Sequence, residues 1–211
     1  MLSILFKTAC NATVDLGFLI DGSGSIEFYG QGNFKRCLDF VKKIVAAFNI
    51  GKNKAHVGVV TFSSNPELQF DFNKYYDMGS MNLAIDSISY LNQGTFTGKA
   101  LTFTKSALFT KSARAGTPHL LIVMTDGASS DPVSQPAKSL RDSGVTIYSI
   151  GIGKNFELQQ LQEMASDPDS DHVFTADFTQ LDSLVGRIKQ RACKGRILRK
   201  DTDHVFIVNF S

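Results

Sequence analysis

The sequence has no tryptophan, no long hydrophobic run and no marked excess of charge of either sign. Its 22 basic and 20 acidic residues leave a formal net charge of +2, so neither a nucleic-acid-binding nor a membrane-binding surface is indicated. No apolar stretch approaches the roughly eighteen residues that a membrane-spanning helix requires. A hydrophobic content of 43% is enough for one sizeable core in 211 residues. One globular domain without a membrane span is therefore expected.

Cysteine is scarce as well, and three residues are too few for a disulfide-rich scaffold. Cys10 stands before the first predicted strand and Cys193 after the last predicted helix. A disulfide between them is the favoured interpretation and suits an extracellular protein, whereas two free buried thiols are the alternative. Cys37 has helical spacing from apolar neighbours, which predicts a buried core residue rather than a reactive thiol.

The two ends of the chain stand apart from the patterned region, which is expected to be a domain spanning 13–193. Residues 1–12 form an N-terminal segment that begins with an apolar stretch shorter than a secretory signal needs, so either the signal is truncated or the chain is not secreted as written. Residues 194–211 are interpreted as a C-terminal tail with a basic cluster. Asn11 opens the sequon Asn-Ala-Thr and is a glycosylation candidate if the chain enters the secretory pathway.

Strand-like and helix-like segments alternate along the chain. Buried, β-branched strands are predicted at 13–20, 56–62, 119–125, 145–151 and 172–176. Helical spacing of apolar residues appears at 33–48, 81–91, 98–112, 133–143, 157–165 and 179–191. Residues 67–72 follow a turn so closely that they can pair back only as an antiparallel edge strand. This order predicts an α/β fold: a doubly wound, mainly parallel six-stranded sheet with one short antiparallel edge strand and helices on both faces.

The first strand ends in a loop with oxygen-bearing side chains at alternate positions. Asp21, Ser23 and Ser25 are separated there by glycines. Ligands of open parallel sheets bind beyond the carboxyl ends of the strands, where this loop is expected. Three kinds of site use such a loop: a phosphate-binding site, a nucleophilic serine and a binding site for a hard cation.

The first two kinds of site lack residues that they need. A dinucleotide fingerprint would require glycine where the chain has Glu27, and no G-x-x-x-x-G-K-[ST] motif occurs. A G-x-S-x-G elbow around Ser23 would require glycine in place of Asp21. A serine nucleophile also needs a base, and the histidines of the patterned region are predicted at strand beginnings, on the opposite edge of the sheet: His56, His119 and His172.

A hard cation fits the loop better. Alternate residues of an extended loop face the same side, so three oxygens can converge, and Mg²⁺ keeps several waters and needs few protein ligands. Further oxygens are expected from Asp126, after the strand 119–125, and from Thr95 and Thr97, before a helix. Each has an ordinary alternative role, as a turn residue, a loop hydroxyl and a helix cap. Their joint position at one sheet edge favours a metal site.

These segments together resemble the von Willebrand factor A-type (vWA) domain of matrilins, fibril-associated collagens and integrins. The resemblance covers about residues 13–191 and rests on VDLGFLIDGSGSI, VGVVTFSS, GTFTGKAL, LLIVMTDG and VTIYSIGIG, in family order. It implies a Rossmann-like vWA fold with a metal-ion-dependent adhesion site (MIDAS). By motif position the metal residues would be Asp21, Ser23, Ser25, Thr95 and Asp126. Thr97 matches a second family threonine, which we expect to cap the helix.

The same resemblance implies a function without catalysis. We expect a secreted matrix or adhesion module that binds Mg²⁺, with Mn²⁺ or Ca²⁺ as alternatives, and bridges it to an acidic side chain of a protein ligand such as a collagen. The alternative is a structural matrix domain whose protein contacts do not depend on the metal. A third possibility is a metal-dependent phosphohydrolase using Asp21. It is disfavoured because such an aspartate usually works with an acid two residues on, where the chain has Ser23.

Overall fold

The computed structural model describes residues 9–194, and most of the predicted N-terminal segment and tail lies outside these residues. One sheet contains six strands in the order β3-β2-β1-β4-β5-β6. Neighbouring strands are parallel except β2 and β3, which are antiparallel. The predicted α/β fold with one antiparallel edge strand is thereby confirmed. The strands are β1 Asp15–Asp21, β2 His56–Phe62, β3 Pro66–Phe70, β4 His119–Thr125, β5 Val145–Ile152 and β6 Val173–Ala176.

The six predicted helices are present in order with shifted ends, and two short helices, α1 Ser25–Phe28 and α7 Asp169–His172, were not predicted. In chain order the described helices are α1 Ser25–Phe28, α2 Asn33–Ala46, α3 Met78–Asp86, α4 Thr97–Thr104, α5 Ser134–Asp142, α6 Leu158–Met164, α7 Asp169–His172 and α8 Asp182–Lys194. A π-helical segment, Lys105–Thr110, continues α4. The helix predicted at 81–91 begins earlier because Asp77 caps it, accepting a hydrogen bond from the Ser80 N–H at 2.8 Å. None of the described helices is both long and apolar enough to cross a membrane.

Each face of the sheet carries a hydrophobic core. All seven residues of β1 are buried, as expected for a strand covered on both sides. Leu16, Phe18 and Ile20 belong to the core formed with α2, α3 and α8. Leu19 belongs to the opposite core, formed with α4, the π-helical segment, α5 and α6. The near-continuous apolar run of β1 therefore packs helices on both faces.

The sheet has a switch point between β1 and β4. The chain leaves β1 towards β2 and β3 on one side, whereas β4 is followed by β5 and β6 on the other. Loops that leave two such strands diverge and open a crevice at the carboxyl ends. Asp21 ends β1 and Asp126 follows β4. Both predicted carboxylates therefore border this crevice.

Both ends of the described chain lie at the other end of the sheet from this crevice, near the start of β1. The backbone of Cys10 hydrogen-bonds to Ala47 and Asn49, just after α2. A disulfide joins Cys10 to Cys193 in α8, with the Cα atoms 6.2 Å apart. Asn11 is exposed beside it. Cys37 is free and buried, as predicted, and desolvation raises the pKa of its thiol, so the thiol stays protonated.

Candidate metal centre

The loop after β1 gathers polar groups around Asp21. The Ser23 N–H donates to Asp21 Oδ1 at 2.8 Å, and the Thr125 hydroxyl donates to Asp21 Oδ2 at 2.7 Å. Both oxygens of Asp21 are thus engaged by the protein, and the side chain is only 1% exposed. The loop also brings alternate hydroxyls together, because Ser23 Oγ and Ser25 Oγ are 3.1 Å apart.

Asp126 joins this group from the end of β4. Its Oδ1 accepts a hydrogen bond from Ser25 Oγ at 2.7 Å, which links the two loops directly. Its Oδ2 is buried and has no hydrogen-bond partner. An unpaired buried carboxylate oxygen is costly. A bound cation would remove that cost, so this oxygen is the group that the fold leaves available for a metal.

Burial raises the pKa of both carboxyl groups. For Asp21, desolvation outweighs the hydrogen bonds from Ser23 and Thr125. For Asp126 the pKa rises to about 6, mainly through desolvation and to a smaller extent through the nearby charge of Asp21, while the hydrogen bond from Ser25 acts in the opposite direction. Negative charge is therefore unfavourable here without a counter-ion. A divalent cation would stabilise the ionised form of both groups.

The two predicted threonines lie in the segment that leads into α4. Thr97 is the first residue of α4 and is fully buried, and its hydroxyl has no hydrogen-bond partner. The expectation that Thr97 caps the helix is therefore wrong, since Phe96 occupies the cap position without a side-chain hydrogen bond. Thr95 is partly exposed, and its carbonyl accepts a hydrogen bond from the Ser130 N–H at 2.7 Å.

The loop after β4 caps α4 instead. Ser129 Oγ accepts from the Thr97 N–H at 3.0 Å, and the Asp131 carboxylate accepts from the N–H groups of Gly98 and Lys99 at 2.8 and 2.7 Å. Sequence reasoning missed Ser129 and Asp131 because cap signals are read immediately before a helix. The cap ties α4 to the loop that carries Asp126.

Two further residues that sequence reasoning missed hold the first loop in place. The Tyr90 hydroxyl donates to the Ser23 carbonyl at 2.7 Å. The Glu27 carboxylate accepts from the N–H groups of Gly32 and Phe34 at 2.6 and 2.8 Å. Tyr90 lies in an irregular segment and carries no motif. Glu27 stands where a dinucleotide fingerprint would have had glycine, and that mismatch was the only signal.

The candidate metal ligands are all hard oxygen donors, and most of them are hydroxyl groups. Within residues 9–194 no group of three or more His, Cys, Asp or Glu side chains is arranged to hold a metal ion. Any cation at this centre would therefore depend on serine and threonine oxygens together with two carboxylates. Hard oxygen donors of this kind fit Mg²⁺, which tolerates a partial protein shell completed by water.

The three histidines that the structure describes lie away from this centre, as the sequence predicted. His56 and His119 begin β2 and β4, and His172 ends α7 immediately before β6. His119 is near the other end of β1, where its Nε2 lies 3.7 Å from Asp15 Oδ2. Among residues 9–194, therefore, no histidine forms a pair with a serine of the loop after β1.

The model of the von Willebrand factor type A domain matches residues 15–187. The chain belongs to the von Willebrand factor type A domain family. Curated relatives of this vWA domain include the collagen alpha-4(VI) chain of Mus musculus, 41% identical over 186 residues; cochlin of Homo sapiens, 34% over 192; and matrilin-1 of Gallus gallus, 32% over 185. These matches cover 86%, 90% and 86% of the chain but only 8%, 34% and 37% of the relatives.

Solved structures give the same fold. Proximal thread matrix protein 1 of the mussel byssus superposes with a TM-score of 0.83 at 29% identity, over 88% of this chain and 49% of that one. Another structure of that protein, described as having a zinc-occupied MIDAS motif, has a TM-score of 0.81 at 28% identity and the same coverage. The relatives are extracellular matrix proteins and not enzymes, which confirms the expectation that this vWA domain is not an enzyme.

Proposed function

We propose that this vWA domain is a secreted matrix or adhesion module that binds a divalent cation, Mg²⁺ in the first instance, and bridges it to an acidic side chain of a protein ligand. The observation that carries the proposal is the unpaired, buried Oδ2 of Asp126, which is joined through Ser25 to Ser23. A metal ion is the ligand that would satisfy this oxygen together with the neighbouring hydroxyls.

Some of these residues would contact the cation directly, and others would act through water. We assign direct contacts to Ser23, Ser25, Thr95 and Asp126. Asp21 would act through water and by charge, because both of its oxygens already accept hydrogen bonds from protein groups. The unpaired hydroxyl of Thr97 would be satisfied by the metal or by one of its waters. When bound, the cation supplies an electrophilic position for an outside carboxylate.

The relatives support the kind of cation site and the kind of partner that we propose. A neighbour at a TM-score of 0.81 is described with zinc in its MIDAS motif, so Zn²⁺ joins Mn²⁺ and Ca²⁺ as a cation to test. The curated relatives include a collagen VI chain and matrilin-1. We therefore propose a matrix protein, such as a collagen, as the partner. Because the chain spans a small part of these relatives, the partner is proposed for the domain alone.

The disulfide and the sequon both support a secreted domain. Cys10 and Asn11 lie near the start of β1, at one end of the sheet. The metal centre lies at the other end, where β1 finishes. A strand of seven residues separates the two by about 20 Å. A glycan on Asn11 would therefore leave the proposed ligand-binding face free.

Binding to immobilised matrix extract, with and without EDTA, tests the proposal. We expect wild-type binding in Mg²⁺ to be lost in EDTA and in Asp126→Ala, and restored for the wild type by excess Mg²⁺. Asp39→Ala is the matched control, since Asp39 is a partly exposed acid on α2 that pairs with Lys35 and Lys42. Binding that is indifferent to both EDTA and Asp126→Ala would instead establish the alternative, a structural domain whose contacts do not need the metal.

A further inference from the structure

Two large aromatic side chains stand exposed a few residues after Ser25, and the second of them, Tyr29, lines a cleft with Asp126. Phe28 is 81% exposed, more than any other large hydrophobic side chain in residues 9–194, and Tyr29 is 57% exposed. Their rings meet edge to face with centroids 5.1 Å apart. Both lie at the end of α1, whose first residue is Ser25. Neighbouring exposed aromatics at the rim of a site are typical of a surface that is covered by a partner.

The aromatic pair is held on a fixed turn. The Tyr29 N–H donates to the Ser25 carbonyl at 3.4 Å. Next to the pair, Glu27 binds two backbone N–H groups at the start of α2, those of Gly32 and Phe34. A ligand would therefore meet rings whose backbone is already ordered, which lowers the entropic cost of binding.

A cleft connects this rim to the metal centre. It has a volume of about 550 Å³. Tyr29 and Asp126 line one part; Ile152 at the end of β5, and Lys154 and Phe178 in the loops after β5 and β6, line the rest. The lining also includes Asp177, so two carboxylates face one lysine. This balance disfavours a polyanion such as a sulfated glycan and leaves the apolar side chains as the main source of affinity.

We propose that the ligand is a peptide segment in which an Asp or Glu lies within two residues of an aromatic or large aliphatic side chain. The acid binds the cation, and the apolar side chain packs against Phe28 and Tyr29 and into the cleft. Successive residues are about 3.8 Å apart along the chain, so a neighbour of the metal-bound acid reaches the rim that follows Ser25. This inference rests on the proposed function, because the acid must first be held by the metal.

Selection from a display library of random 12-residue peptides tests the inference. The library is captured on the wild-type domain in Mg²⁺ and eluted with EDTA. We expect the eluted peptides to contain Asp or Glu with Phe, Tyr, Trp, Leu or Ile within two residues. Synthetic copies should bind the double variant Phe28→Ser/Tyr29→Ser at least tenfold more weakly than the wild type. Leu83→Ser is the matched control, since Leu83 is 73% exposed on α3 and does not line the cleft.

The outcomes separate this inference from the function on which it rests. Acidic peptides without an apolar neighbour, or equal affinity for wild type and double variant, would overturn the aromatic subsite while leaving the metal-bridging function intact. Failure to recover any EDTA-released acidic peptide would contradict the metal-bridging function and the inference with it. A calorimetric Mg²⁺ titration and a thermal melt of the double variant check that a lost interaction does not reflect a damaged centre or fold.

Discussion

At the residue scale, the two carboxylates of the centre have different surroundings. Asp21 accepts hydrogen bonds on both oxygens, whereas Asp126 accepts one from Ser25 and keeps Oδ2 unpaired. Desolvation raises the pKa of both groups. Without metal, these buried carboxylates therefore destabilise the folded protein. Functional sites commonly contain such destabilising groups.

Replacing Asp126 by asparagine should stabilise the metal-free protein while removing metal binding. Burial raises the pKa of Asp126 from 3.8 to about 6, so above pH 6 the wild type carries a charge that folding disfavours. We expect Asp126→Asn to raise the free energy of unfolding in EDTA by on the order of 1–2 kcal/mol at pH 7. This gain in the free energy of unfolding should shrink as the pH falls from 6 to 4. It should disappear below pH 4, where Asp126 of the wild type is protonated in the folded and in the unfolded state. Urea unfolding at several pH values measures it, and a loss of stability at pH 7 would contradict it.

The two threonines should separate in their effects. Thr95→Val should weaken Mg²⁺ binding about tenfold as the loss of a direct ligand, with little change in metal-free stability. Thr97→Val should weaken it less, yet leave metal-free stability equal or higher, because the Thr97 hydroxyl is buried without a partner. Calorimetry and thermal melts in EDTA measure the two quantities. A larger loss of affinity in Thr97→Val would reverse the roles assigned to the two residues.

At the scale of elements, the centre depends on how α4 meets the loop after β4. Gly98, the second residue of α4, allows a very close approach, since a Cβ there would lie 2.1 Å from the carbonyl oxygen of Pro132. The same contact brings Ser129 and Asp131 to the unpaired N–H groups at the start of the helix. Helix and loop are therefore placed by one interlocked contact.

Substituting Gly98 by alanine should force that contact apart. We expect Gly98→Ala to destabilise the fold by about 1–3 kcal/mol, as overpacking usually does, and to weaken Mg²⁺ binding because Asp126 and the threonines move relative to one another. Gly186→Ala is the control, because a Cβ at Gly186 in α8 meets nothing within 4 Å. That change should leave stability equal or slightly higher. Equal melting temperatures for the two variants would refute the argument.

The elements were largely predictable from the sequence because their signals are local. Hydrophobic runs located the strands, and Asp21 and Asp126 could be placed together because parallel strands end at one edge. The hydroxyls of Ser23 and Ser25 followed from alternation in a short loop. What failed was the cap of α4, which comes from Asp131, distant in sequence. Ser23 is also buried, and its position in a loop between two glycines gave no signal of that burial.

At the scale of the whole molecule, the two edges of the sheet have separate tasks. One edge holds the candidate centre, the exposed aromatic pair and the cleft, and the other holds the disulfide and Asn11. About 20 Å of strand separates them. Changes at the disulfide edge should therefore alter stability without altering metal affinity.

Removing the disulfide tests this separation. Cys10→Ser/Cys193→Ser should lower the free energy of unfolding by about 2–4 kcal/mol, while the Mg²⁺ affinity of the folded protein stays within twofold of the wild type. Chemical unfolding and calorimetry below the unfolding transition measure the two quantities. A parallel loss of metal affinity would show that the edges are coupled through the sheet or α8.

The sequon offers a second test at this scale. Expression through a secretory pathway should yield protein whose apparent mass falls after treatment with a peptide N-glycosidase, and Asn11→Gln should not show the fall. EDTA-sensitive binding to matrix extract should be the same for both forms, because Asn11 lies at the edge away from the centre. Weaker binding of the glycosylated form would contradict the proposed arrangement.

The central claim is that oxygens from the loop after β1 and from the end of β4 hold one divalent cation. Calorimetric titration of Mg²⁺ into the EDTA-stripped wild type and into Ser23→Ala/Ser25→Ala tests it most directly. The account predicts one saturable site in the wild type and at least tenfold weaker binding in the variant, with melting temperatures in EDTA within a few degrees of each other. No saturable binding in the wild type, or equal affinity in a folded variant, would contradict it.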